Sequence, residues 1–290
     1  MTDTTPIRVI PDVGYVAAPL VPETIPGADI PLDMSHCALR SVSPVHIKYL
    51  RNMGVGASMS VSLLGQGELW GLIACHNATP LPVHYEAREL CKHVAQILAQ
   101  KTKALSDADL HRLTRDLGSA ADRLLRELMD TDDPASVLLA RCSALVEVVR
   151  SGGVAIVWKG SVATAGRVPP EPEVRELADW LTPRLLGGDT FVSDRLSEQY
   201  SQAARFEREG SGILSLLLQG DDPPLLIWFR AEQVEEINWA GNPHEPLDPN
   251  SRHGALTPRR SFASWMETVK GRSGPWRTVE VDTVRSFGRR

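Results

Sequence analysis

Arg40, His46, Tyr49, Ser58, Ser60, Ser62 and His76 share one short stretch of the chain, set among mostly apolar neighbours. A guanidinium offers a rigid fork that matches a carboxylate two oxygens at a time, which an ammonium cannot do. Hydroxyls and imidazoles add donors and acceptors suited to ring nitrogens and carbonyls. Converging on one hairpin, such a set suits a planar ligand with carboxylates and ring nitrogens. The serines alternate with Met59, Val61 and Leu63. They therefore fit the solvent face of a half-exposed strand as well, and both readings stand open at this point.

No catalytic set accompanies these residues. The sequence has no GxSxG elbow, phosphate-binding loop, HExxH pair or paired carboxylates on one helix face, and it lacks the glycine-rich nucleotide boxes of a histidine kinase. The eight histidines are dispersed. Cys37, Cys75, Cys91 and Cys142 form no CxxC pair and no zinc-ligand spacing, so they read as reduced thiols rather than a metal site. A binding protein is expected, not an enzyme.

The 290 residues suffice for two domains, with apolar and charged fractions of 42% and 23% typical of globular protein. A net charge of −5 gives no basic field for nucleic acid or anionic lipid. No apolar run is long enough for a membrane span, and the polar start MTDTTP is no signal peptide. A cytoplasmic protein without membrane or nucleic-acid partners is expected.

The elements that must position the polar set follow from pattern. IRVIPDV reads as a short strand stopped at Pro11, followed by a proline-punctuated loop. Ser43 and Pro44 suit the N-cap and first turn of a helix on which Ile47, Leu50 and Met53 recur, and Gly54 closes it. ASMSVSLL and ELWGLIACH, joined by Gly65-Gln66-Gly67, read as a hairpin. From His84 to about Asp130 a long helix is expected. Its Leu110, Leu113, Leu117, Ala121, Leu124 and Leu128 form a seam that fits packing within its own domain or pairing with a partner helix. A helix from Thr131 through Val149 comes next, then the strand GGVAIVWKG, the helix PEVRELADWLTPRLL, and a second hairpin from GILSLLLQ and PLLIWFRA. The whole is α+β, antiparallel sheets flanked by helices and joined by the long helix. Residues 231–262 are polar and too long for an ordinary connection.

LRSVSPVHIKYLRNMGVGASMSVSL and GELWGLIACH resemble the second half of the chromophore-binding GAF domain of bacteriophytochromes, the bilin-binding red-light sensors. The resemblance implies that Arg8 and Arg40 hold one propionate of the bilin and Ser58 and Ser60 the other. It places His46 beneath the pyrrole nitrogens, Tyr49 beside the terminal ring and His76 on that ring's carbonyl, with Ser43 in the same set. Val45 stands where plant and cyanobacterial members attach the bilin through a cysteine, so the likeness is to the biliverdin-binding bacterial class. That class attaches biliverdin through a cysteine in a preceding PAS domain. Neither that domain nor the first half of the GAF domain with its PASDIP aspartate is found here, and Cys37 and Cys75 match no attachment position. Gly27-Ala28-Asp29-Ile30-Pro31 falls after Arg8, not before it, and reads as a turn. Weak, non-covalent biliverdin binding is the expectation.

Residues from about 115 resemble the phytochrome-specific PHY domain. WFRAEQVEEINWAGNP and LTPRRSFASWMETVKGRSGPW are similar to its tongue, with Trp239, Arg259 and Ser261 as the implied tongue contacts. Arg259 would pair with the missing aspartate, so a loosely held tongue is expected. The expected division is 1–105 for the partial GAF domain and 106–290 for the PHY domain, with the tongue at 231–262. The implied function is a piece of a red/far-red photoreceptor that relays light to an output such as a histidine kinase, as a homodimer joined through the long helix. A ligand-free dimerisation or interaction module derived from such a sensor is the alternative.

Overall fold

The computed structural model describes residues 6–28, 30–34, 37, 40–65, 67–186, 190–220, 222–240 and 264–289. The chain divides into two compact units, Met1–Asp107 with Asn238–Trp265, and Ala108–Ile237 with Met266–Arg290.

The first unit holds β1 (Ile7–Ile10), α1 (Pro44–Asn52), β2 (Ala57–Gly65), β3 (Glu68–Asn77) and the first half of α2 (Tyr85–Met129). The strands form an antiparallel sheet in the order β1-β2-β3. Alternation along β2 divides its side chains between two faces. Val61 and Leu63 pack with Ile7, Met59 and Ile73 against Cys91, Ala95 and Ala99 of α2. Ser58, Ser60 and Ser62 take the opposite face. Helix α1 begins after Ser43, whose carbonyl accepts from the Ile47 amide at 3.0 Å while its hydroxyl makes no cap bond. It ends in a turn where Gly54 takes φ +72°, a conformation that a side chain disfavours. Gly56 is fixed by closeness instead, since a Cβ there would lie 2.5 Å from the Ala78 carbonyl oxygen.

The second unit is built on five antiparallel strands in the order β5-β4-β8-β7-β6: β4 (Gly153–Trp158), β5 (Ser161–Gly166), β6 (Thr190–Ser193), β7 (Gly212–Leu217) and β8 (Leu225–Arg230). One face packs on the end of α2, on α3 (Pro134–Ala140), on α4 (Cys142–Val148) and on α8 (Thr278–Gly288). The other packs on α5 (Glu171–Leu185), α6 (Leu196–Gln199) and the 3₁₀ turn Ser201–Phe206 that leads into α7 (Glu207–Gly210). Both faces being covered, the central strands read as nearly unbroken apolar runs. The fully buried Trp228 still satisfies its indole, which donates to the Leu145 carbonyl at 2.8 Å. β9 (Glu235–Ala240) and β10 (Ser264–Val269) form a separate two-stranded sheet.

Three expectations change. The helix expected from Thr131 through Val149 is broken at Arg141 into α3 and α4 and is capped by Asp133, whose carboxylate accepts from the Ser136 amide at 3.3 Å. The Ser136 hydroxyl, and then that amide contact, hold the Asp133 carboxyl below its usual range. The short strands β5 and β6 were not anticipated. β10 lies within the stretch LTPRRSFASWMETVKGRSGPW. The α2 seam belongs to the single chain: Leu113, Leu117, Ala121 and Leu124 are buried within it, and Ala121, Leu124 and Leu128 join the core of the second unit. These four cannot also form an exposed pairing face.

Leu124→Glu therefore places an unpaired charge in a closed core, a cost of about 3 kcal/mol or more. Circular dichroism should show a marked loss of thermal stability, and an unchanged melting midpoint would contradict the packing. Burial also raises the Cys142 thiol to about 11, so little reactive thiolate forms at neutral pH. Iodoacetamide on the folded chain should modify the exposed Cys37 and Cys75 and spare Cys142 until denaturant is added, with the sites read by peptide mass mapping.

Candidate functional site

Register places the sheet part of the site. Arg8 stands opposite Ser60, and Ser60 opposite Ala74; Ile10 stands opposite Ser58, and Ser58 opposite His76. Residues opposed in an antiparallel pair share a face. Arg8, Ser58, Ser60 and His76 thus lie together, with Ser62 and Leu72 further along, on the face away from α2. Ser58 and Ser60 are half-buried, Ser62 is buried, and Arg8 and His76 are exposed. The serines are neither a plain solvent stripe nor a closed core.

Ile10, on this same face, packs with Val13, Ile47 and Leu50, so α1 covers one end of it. His46 and Tyr49 stack on α1 with ring centroids 6.4 Å apart and planes 14° from parallel. Helix α1 and the segment leading into it are tied to the turn that follows β1 by residues the sequence did not single out. The Arg51 guanidinium donates to the Val13 carbonyl at 3.0 Å, and the Tyr15 hydroxyl accepts from the Val42 amide at 2.8 Å. The second bond steadies the approach to Ser43. Its sequence trace is the PDVGY turn, where the Asp12 carboxylate accepts from the Gly14 amide at 2.6 Å. Arg40 is exposed on the segment before α1. Leu72, opposite Ser62, extends the same sheet face with exposed apolar surface, and the exposed Trp70 lies at the register shift beyond it.

A cation and hydroxyls beside exposed aromatic and aliphatic surface can take a flat ligand that is apolar in its body and anionic at its arms. Among the described residues no His, Cys, Asp or Glu group is arranged to hold a metal ion. No described helix is long and apolar enough to cross a membrane. Gly27-Ala28 lies in a turn closed by the Ile25 amide donating to the Ile30 carbonyl at 2.8 Å, and Asp29 is outside the described residues. Trp239 lies in β9. Arg259 and Ser261 lie outside the described residues.

Comparison with known proteins agrees along the chain. Residues 4–101 match the GAF domain model and residues 117–289 the phytochrome region model. Cyanobacterial phytochrome B of Nostoc is 35% identical over 96% of this chain, and a bacteriophytochrome of Xanthomonas campestris is 33% identical over 97%. The chain spans 37% and 45% of those two proteins. Among solved structures, a bacteriophytochrome from the photosynthetic bacterium R. palustris matches with a TM-score of 0.74 at 36% identity, over 97% of this chain and 57% of that one. The photosensory core module of the Stigmatella aurantiaca phytochrome matches with a TM-score of 0.68 at 34% identity, over 98% of this chain and 56% of that one. With a GAF domain followed by a phytochrome region, the chain belongs to the phytochrome family.

Proposed function

We propose that this chain is a photosensory piece of a red/far-red light receptor of the bacteriophytochrome kind, cytoplasmic and without catalytic activity of its own. It takes a bilin, biliverdin by class, on the sheet face that carries Arg8, Ser58, Ser60 and His76. The observation that carries this reading is their common face beside α1, which matches what an anionic tetrapyrrole needs. Arg8 and Arg40 take one propionate, Ser58 and Ser60 the other. His46, Tyr49 and Ser43 serve the ring system from α1, and His76 the terminal carbonyl. Trp239, Arg259 and Ser261 belong to the segment that reaches toward the pigment. Residues 1–105 act as the pigment domain and 106–290 as the relay to an output such as a histidine kinase.

Binding is non-covalent, since Val45 replaces an attaching thiol and no cysteine shares the serine face: Cys75 opposes Met59 on the other one. Mixing the chain with biliverdin should give a red-shifted absorbance. That shift should weaken about tenfold in affinity with Arg8→Ala, through loss of a charge-assisted contact. Denaturing electrophoresis with zinc should show no fluorescent protein band. A fluorescent band contradicts the non-covalent reading. No absorbance change at all favours the second reading, a ligand-free interaction module, which draws its support from the exposed Trp70 and Leu72.

Pairing of two copies falls to the first half of α2. Leu90, Val94 and Ile97 are 65%, 52% and 65% exposed at steps of four and three, the spacing of a helix–helix seam. Val94→Glu with Ile97→Glu should halve the mass in light scattering while leaving the circular dichroism unchanged. A dimer that survives both changes would place the interface elsewhere.

A further inference from the structure

The β9–β10 pair leaves the second unit through residues 230–234 and returns through residues 270–277, and both legs meet at one side chain. Arg230 ends β8. Its guanidinium donates to the Arg150 carbonyl at 2.9 Å, to the Pro275 carbonyl at 2.8 Å and to the Glu280 carboxylate at 2.5 Å. The central carbon of the guanidinium lies over the Trp276 ring, 3.8 Å from its centre. The Glu280 side chain is 2% exposed, and its second oxygen accepts from the Arg277 amide at 2.8 Å, which caps the first turn of α8. Around this centre the legs are tied again. The Gln233 amide donates to the Arg272 carbonyl at 2.7 Å, and the Gly271 amide to the Glu232 carboxylate at 2.8 Å. Trp276 and Ser273 fasten the returning leg to the end of β6, through the Ser193 carbonyl at 3.2 Å and the Asp194 carbonyl at 2.9 Å.

We propose that Arg230 is the positioning residue that couples the β9–β10 pair to α8, holding the outgoing leg, the returning leg and the helix cap as one mechanical unit. A displacement of either strand loads Pro275, Trp276 and Glu280 through one rigid, planar group, and α8 starts two residues after Trp276. The coupling is reciprocal: whatever reorients α8 acts back on the pair by the same free energy. Lysine cannot replace this group, because it lacks the fork that reaches two carbonyls and a carboxylate at once. The inference deepens the sensory reading by naming how the pair reaches α8, yet it rests on geometry that needs no bilin.

The test is hydrogen exchange on the full chain without chromophore, arranged as a double-mutant cycle. Ile237→Pro sets a proline inside β9, where its ring disfavours strand pairing, and loosens the pair. In the otherwise unchanged chain it should raise exchange in the first turn of α8, Val279 to Asp282, by about tenfold as well as in the strands. In an Arg230→Met background that turn should already exchange faster, and Ile237→Pro should add nothing there. A merely structural role predicts instead that the two effects multiply. Glu280→Gln keeps a cap acceptor and loses the charge, and it decides by the same comparison if Arg230→Met fails to fold by circular dichroism. The proposal is overturned if Ile237→Pro leaves α8 unchanged in the parent chain, or if its effect on α8 is the same size in the variant backgrounds.

Discussion

The central strands of the second unit are covered on both faces, and much else in that unit follows from that cover. Side chains pointing either way from β4, β7 and β8 enter an apolar core, where a polar group left unsatisfied is costly. Trp228 is satisfied by the Leu145 carbonyl, whereas the Ser215 hydroxyl on β7 is buried without a partner among the described residues. Charge appears only at the end of β8, where the cover runs out, and it appears as Arg230. Burial works against its charge, and Glu280 acts in the opposite direction. Breaking such a pair one-sidedly costs about 3–5 kcal/mol because a buried charge is left alone. The demand for satisfaction made by a two-sided core thus places the strongest polar cluster of the unit where β9 departs and α8 begins.

The first unit follows the opposite rule. Among the described residues, α2 packs on one face of its sheet through the small residues Ala95 and Ala99 that let the helix lie close, and α1 roofs the Ile10 end of the other. Ser58 and Ser60 are half-buried there, and Arg8 and His76 are exposed. The same chain therefore contains one sheet closed on both faces and one with polar groups along a partly covered face.

Much of this was legible in the sequence because it rests on local periodicity. The alternation of Ser58, Ser60 and Ser62 fixed a shared face, the Ser43-Pro44 start and Gly54 stop bounded α1, and the uninterrupted run after His84 gave α2. What escaped depends on partners far along the chain. Arg230 and Glu280 lie fifty residues apart and are joined only by the fold. β6 is a four-residue strand held by β7, and β5 has little apolar signal of its own. The apolar spacing from Leu110 to Leu128 fits packing inside one chain as well as pairing between two, and only burial separates them. Likewise alternation alone cannot tell that one end of the serine face is covered, because that cover comes from α1 packing on Ile10.

The ten-residue strand β3 has β2 on one side, and among the described residues no strand lies on its other side. It bears the exposed Leu69, Trp70 and Leu72, and Glu68 and a register shift against Leu63 and Leu64 interrupt only its first residues. Natural sheets blunt such borders with charge, bulges or cover, because a bare row of amides and carbonyls templates addition of any extended chain. A strand added along β3 would pair that row and cover the exposed Leu72.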